Sequence, residues 1–236
     1  MDYHKIETLY QRDEKSHKLK WPLELKNRVY GILKTWVFTE KIDGTNIRAI
    51  WHRYLNSCGH AISSRDQNFC GACGHAVGNI SDMGQLSFGG KTDNAQIHAD
   101  LIRHLYETIT PEKMRAAFPE DVGSVILYGE GYGAGIQKGG GNYSSTKRFI
   151  LFDVLCAGWW LSDENMRDVA GKLSIPAVPL IGEMNLEEAT EMVRAGFMSR
   201  IGPGTAVAEG MVGRPVEALF DKKGHRLIVK LKTKDF

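Results

Sequence analysis

The stretch from Val37 to Trp51 most constrains what this chain can fold into. Two runs of apolar, strand-forming residues, Val37-Phe38 and Ile47-Arg48-Ala49-Ile50-Trp51, are interrupted by Glu40-Lys41-Ile42-Asp43-Gly44-Thr45-Asn46. Asp-Gly between two such runs specifies a turn joining two strands. Lys41 therefore stands where a strand leaves the interior and enters a tight bend, either solvated at a surface or held in a crevice. A lysine crowded by other cations and partly desolvated gives up its proton more easily, and the free amine is a nucleophile.

The chain is long enough, at 236 residues, to bury a sizeable core. Its hydrophobic content of 42% and charged content of 25% are those of a soluble globular protein. With Lys+Arg 30 against Asp+Glu 28, a polyanion must be met by a local basic patch rather than by the whole surface. No apolar run approaches the roughly 18 residues of a membrane span, and the N-terminus is polar, so neither a signal peptide nor a membrane contact is expected. Four cysteines, three clustered and one in an apolar run, do not make a secreted disulfide framework, and a cytoplasmic location is the expectation.

Before the lysine turn, Lys15, Lys18, Lys20, Lys26 and Arg28 surround Trp21-Pro22-Leu23, either as a solvated edge or as a strip that touches nucleic acid. From His52 to Gln85 glycine, serine, asparagine, histidine and cysteine replace the alternating pattern, which reads as an insertion at about 52–86. It contains Cys58-Gly59-His60 and Cys70-Gly71-Ala72-Cys73-Gly74-His75. Cys58, His60, Cys70 and Cys73, with His75 as the alternative to His60, could complete a structural tetrahedral zinc shell; free thiols in a loop are the other reading.

Leu86 to Asp93 returns to strand-like sequence ending in basic Lys91. Ile97, Leu101, Ile102, Leu105 and Ile109 at helical spacing predict a packing helix capped by Asp93 or Asn94. Ser124 to Glu130 reads as a buried strand ending in a carboxylate. The following Gly131-Tyr132-Gly133-Ala134-Gly135 and Gly139-Gly140-Gly141 lack the GK[ST] of a phosphate-cradling loop; close approach of backbone to a sugar or base suits them better. Phe149 to Leu155 is a second buried strand with Cys156 packed at its end. Helices are predicted over Asp163 to Leu173 and Leu186 to Ala195, separated by an extended Ile175-Pro176-Ala177-Val178-Pro179.

Chemistry returns in the last fifth of the chain. Glu209 precedes Gly210 at the start of a strand. Arg226 to Lys234 alternates, with Leu227, Val229 and Leu231 on one face and Lys230, Lys232 and Lys234 on the other. Such a strand is either a lysine-guarded edge or a partner for polyphosphate.

Taken in order, the motifs KxDGTN, a strand ending in a basic residue, YGEG, FILFDV, EGMV and a terminal KLK resemble those of the covalent nucleotidyltransferase superfamily of RNA ligases, DNA ligases and mRNA capping enzymes. The likeness spans about residues 36 to 234, and the terminal KLK and glycine-rich run look most like small phage-type ATP-dependent RNA ligases. The resemblance implies an α+β nucleotidyltransferase domain over 1–236, with antiparallel sheets and flanking helices enclosing an ATP cleft. It implies that Lys41 attacks the α-phosphate of ATP and holds AMP as a phosphoramidate. Lys230 and Lys232 would neutralise the phosphates and activate Lys41. Glu209 would help hold Mg²⁺ or Mn²⁺. Glu130 would bond the ribose, Phe152 would stack on the base, and Asp43 and Asn46 would also serve the nucleotide. The basic residue after the nucleophile is assigned to Lys91 over Arg65, although the family usually has arginine there and lysine cannot make a bidentate contact.

Glu40, as an acceptor, suits the exocyclic amine of adenine and disfavours guanine. Strict alternation sends Glu40 and Lys41 to opposite faces, so both would touch one nucleotide only where the strand already breaks at Lys41. Four residues follow Lys232, too few for the appended barrel of DNA ligases and capping enzymes. The expectation is an RNA ligase that joins a 5′-phosphate to a 3′-hydroxyl. The alternatives are a DNA-end ligase, an adenylyltransferase that needs a partner, or a non-enzymatic RNA-binding module with a zinc loop.

Overall fold

The structure, a computed structural model, describes residues 3–56, 58–62, 68–78 and 84–236. In chain order the strands are β1 (Glu7–Thr8), β2 (Trp36–Lys41), β3 (Thr45–His52), β4 (Tyr54–Leu55), β5 (Ala61–Ile62), β6 (Gln85–Gly89), β7 (Ser124–Tyr132), β8 (Arg148–Cys156), β9 (Trp159–Trp160), β10 (Leu180–Met184), β11 (Gly210–Pro215) and β12 (Val229–Lys232). The helices are α1 (Ala99–Thr108), α2 (Pro111–Ala117), α3 (Asp163–Leu173) and α4 (Leu186–Ala195). The fold is α+β, and apart from the parallel β1–β12 pair its sheet ladders are antiparallel.

The chain divides into two compact units, one formed mainly by Tyr3–Asp43 with Val178–Phe236 and the other by Gly44–Ala177. The first holds a sheet in the order β1-β12-β11-β2-β10. Alternation sends Trp36, Phe38, Met211, Val229 and Leu231 to one face, where they bury against Leu186, Ala189 and Val193 of α4. Each large side chain removed from water here contributes about 1.5–3 kcal/mol. Asn185 starts α4 with a reciprocal cap: its side-chain oxygen accepts from the Glu187 and Glu188 N–H groups at 2.9 Å, and the Glu188 carboxylate accepts from the Asn185 N–H at 3.0 Å.

The second unit has a sheet in the order β6-β3-β7-β8-β9, with α1, α2 and α3 covering one face. Ile47, Ala49 and Trp51 of β3, Val125 and Leu127 of β7, and Leu151 of β8 meet Leu101, Leu105, Met114, Met166 and Leu173 there. The segment carrying the cysteines leaves this sheet after β3 and returns at β6.

Several sequence expectations need correction. The Asp-Gly turn joins β2 to β3 as expected, but the two strands are not each other's partners: β2 pairs with β10 and β11, whereas β3 pairs with β6 and β7. Helix α1 begins at Ala99 with His98 as its cap, not at Asp93 or Asn94. Asp93 is drawn off by an ion pair with Arg48 at 2.8 Å. The strand predicted over Arg226–Lys234 is regular only from Val229 to Lys232, where β11 supplies its partner. Arg65 lies outside the described residues.

Candidate active site

β11 is central in the first unit's sheet, with β2 on one side and β12 on the other. Gly210 lies opposite Lys41 across one ladder and opposite Lys232 across the other. Residues directly opposite in a sheet point to the same side, so the two lysines rise on either flank of a residue with no side chain. The preceding Glu209 fills the gap: its Oε2 accepts from Lys41 Nζ at 2.7 Å and its Oε1 from Lys232 Nζ at 2.8 Å. These side chains keep 13–22% of their exposure, so the ion pairs are largely sheltered from water.

Glycine at 210 is a steric requirement. Its φ is +151°, and a Cβ there would lie 2.0 Å from Leu231 O. No other residue lets β11 approach β12 closely enough to bring Glu209 beside Lys232. In the second unit Gly44 is required in the same way, since a Cβ would lie 2.2 Å from Gly131 O.

Lys230 faces the same side as Lys41, opposite Val212, which in turn opposes Thr39. Burial pushes its ammonium pKa down from 10.5, and the nearby Lys232 and Lys41 charges push it the same way. Lys230 also walls a hollow of about 500 Å³ with Lys5, Glu7, Arg12, Lys20 and Lys26. Of the basic residues noted before the turn, Lys20 and Lys26 line it, and Lys26 pairs with Glu7.

Strand β2 stays paired through Lys41, so Glu40 and Lys41 do lie on opposite faces. Glu40, at the end of the core face, is only 1% exposed. Its carboxylate accepts from Ser199 Oγ at 2.5 Å and from Arg200 N–H at 2.8 Å. Ser199 and Arg200 were not legible as partners, because nothing local in their sequence signals a carboxylate 160 residues away. Asp43 closes the first unit's part of the turn and is half-buried.

In the second unit Asn46 lies opposite Glu130 across the β3–β7 ladder. Asn46 Oδ1 is buried without a hydrogen-bond partner, an acceptor ready for a ligand hydroxyl. Phe152 is the extra residue of a β-bulge, since Asp153 opposes Tyr128 and Leu151 opposes Gly129. A bulge re-aims the side chain it carries, and Phe152 is half-buried and outside both apolar clusters. Lys91 is exposed in the turn after β6 rather than at the end of the strand. Its loop is anchored by buried Arg48, which donates from Nε to Gly90 O at 2.8 Å and from a terminal nitrogen to Asp93. Arg48 was missed because alternation alone reads a β3 arginine as solvent-facing, whereas it is 1% exposed. The glycines after Glu130 bring backbone against backbone: a Cβ on Gly133 would lie 2.1 Å from Thr146 O, and one on Gly140 2.0 Å from Gly133 O.

Among the described residues no helix is long and apolar enough to cross a membrane. No curated protein matches the chain. Among solved structures it is similar to Naegleria gruberi RNA ligase with PPi, at 13% identity and TM-score 0.58, covering 98% of this chain and 62% of that one. A mutant of the same ligase with AMP and Mn gives 14% identity and TM-score 0.57, covering 86% and 51%. Another mutant, with ATP and Mn, gives 14% and 0.54, covering 85% and 50%. The chain thus spans about half to three-fifths of the length of these ligases, and at such identity the likeness is one of fold. The RNA ligase family model matches residues 34–232, which takes in the lysine turn, both carboxylate motifs, Lys230 and Lys232, and the chain belongs to the RNA ligase family.

Proposed function

We propose that the protein is an ATP-dependent RNA ligase that works through a covalent AMP on Lys41. The observation that carries this reading is the single carboxylate of Glu209 held between Lys41 Nζ and Lys232 Nζ at 2.7 and 2.8 Å. That arrangement aims one amine and collects positive charge beside it, which is what attack on a polyphosphate requires. The Naegleria ligase structures with ATP, AMP, Mn and PPi support the choice of nucleotide and metal.

Lys41 loses a proton and its Nζ attacks the α-phosphorus of ATP. The N–P bond forms, the bond to the bridging oxygen breaks, and pyrophosphate leaves with the electron pair. Lys230 and Lys232 stabilise the charge that moves onto the phosphate oxygens. An RNA 5′-phosphate oxygen then attacks the same phosphorus, the N–P bond breaks, and Lys41 recovers its proton. Finally an RNA 3′-hydroxyl gives up its proton and attacks the 5′ phosphorus, which forms the phosphodiester and releases AMP.

Glu209 is a sheltered hard-oxygen donor on the lysine face and fits Mg²⁺ or Mn²⁺, which would supply charge neutralisation at the phosphates when bound. Asn46, Glu130 and Phe152 are assigned to the ribose and base, Asp43 to the nucleotide, and Lys91 to the phosphates. Glu40 anchors the Ser199–Arg200 segment from the face of β2 opposite Lys41, which gives it a positioning role rather than a contact with the base. The basic hollow beside Lys230 suits RNA phosphates.

Sealing assays on 5′-phosphorylated RNA and DNA test this reading. ATP-dependent joining of RNA ends, absent in Lys41→Ala, is the expected result. Joining of DNA ends alone would overturn the substrate assignment.

A further inference from the structure

The turns between β3 and β6 carry chemistry that ligation does not use. One turn, Asn56 to His60, is closed by Asn56 N–H to His60 O at 3.0 Å and Gly59 N–H to Asn56 O at 2.9 Å. A second, Cys70 to His75, is closed by Cys70 N–H to His75 O at 2.8 Å and Gly74 N–H to Cys70 O at 2.7 Å. The β4–β5 pair and the Phe69–Ala76 bridge extend each turn into a small hairpin.

Together the turns bring ligand atoms of Cys58, His60, Cys70 and Cys73 within 4.8 Å of one another. Cys58 Sγ is 3.1 Å from His60 Nδ1 and 3.4 Å from Cys73 Sγ. A disulfide needs sulfurs about 2.05 Å apart, so this is not one. With Zn–S of about 2.3 Å and Zn–N of about 2.0 Å, a tetrahedral Cys₃His shell spaces its ligand atoms by about 3.5–3.8 Å, the scale of this cluster.

A second observation comes from Asn56, which is 5% exposed. Its Oδ1 accepts from the backbone N–H groups of Cys58 and His60 at 3.1 and 3.0 Å and lies 2.6 Å from Cys58 Sγ. Its Nδ2 is buried without an acceptor. Thiolates would give that amide an acceptor, in the way outer groups commonly orient metal ligands.

We infer that Cys58, His60, Cys70 and Cys73 bind one Zn²⁺ in a closed Cys₃His site. Three thiolates and an imidazole select zinc over the hard cations that suit phosphate chemistry. Four protein ligands leave no open position, so the ion is structural. It clips together two turns, the first carried by the β4–β5 pair in which Tyr54 and Ile62 are buried, and its binding free energy becomes folding free energy of the insertion. His75 lies outside the cluster, and its backbone oxygen closes a turn.

The test uses the full chain purified without chelator, measured by elemental analysis and by Co²⁺ titration of the reduced apoprotein. About one zinc per chain is expected, together with the visible absorption of tetrahedral thiolate-bound cobalt. Cys70→Ser/Cys73→Ser should lose both, while His60→Ala should shift the cobalt spectrum and weaken binding and His75→Ala should change neither. Absence of zinc with no cobalt spectrum would overturn the inference, as would metal retained in full by the double variant. If the double variant is insoluble, the His60→Ala spectrum decides, and an unchanged one overturns the site.

Discussion

Glu209 Oε2 lies 2.7 Å from Lys41 Nζ, a contact between residues 168 positions apart in the chain. The same carboxylate reaches Lys232, so one acidic group sets the position of two lysines. An ammonium in an ion pair has no lone pair with which to attack. In the proposed reaction the chemistry would therefore start when Lys41 gives up a proton, with the sheet holding its nitrogen in place.

Glu209→Gln keeps the shape of the side chain and removes its charge. Lys41 adenylation should fall on the order of 100-fold. The fold should lose only about 1–3 kcal/mol, because two ammonium groups lose a charged acceptor. Rates with labelled ATP and urea unfolding measured side by side check this, and a fully active variant would remove Glu209 from the site.

Gly210→Ala tests the close approach of β11 to β12. The new methyl would meet Leu231 O at an impossible 2.0 Å, and the backbone sits at φ +151°. A loss of about 2–3 kcal/mol in urea unfolding is expected, with a larger loss of adenylation than Leu231→Ala causes. Leu231→Ala opens the core without displacing Glu209 directly.

Ser199→Ala removes one of the two donors to buried Glu40. Stability should fall by about 1–2 kcal/mol in urea unfolding, as for a buried charged acceptor that loses a partner. Ser199→Thr, which keeps the hydroxyl, should recover most of that loss.

Lys230 gives the fold a signed pH dependence. Its folded-state pKa is lowered by burial and then by Lys232 and Lys41, so between that value and 10.5 the unfolded chain binds more protons. Stability from this group is therefore lowest at neutral pH and rises as pH climbs through the window. Lys230→Met should be more stable than the parent at neutral pH, with the advantage shrinking towards pH 10.5, as urea unfolding across that range would show. The same variant should adenylate poorly at every pH.

Much of the fold was legible where the pattern was local. Helices α3 and α4 have the bounds the sequence predicts, and the structure starts them at Ser162 and Asn185 caps. Helix α2 was missed although Thr110 and Pro111 mark its start, because at seven residues it is too short for periodicity to register. The lysine turn was legible, but not the partners of the strands it joins, since ladder choice depends on segments far away in sequence. The Lys41–Glu209 and Glu40–Ser199 contacts were hidden for the same reason. The bulge at Phe152 leaves no local mark either, because one unpaired residue in a strand shows itself only against its neighbour.

The most direct measurement is intact and peptide mass spectrometry of the protein after incubation with ATP and Mg²⁺ or Mn²⁺. One added AMP, mapped to Lys41, released by pyrophosphate and absent from Lys41→Ala, is the predicted result. An adduct on another residue, or none from a folded protein with ATP bound, would contradict the account.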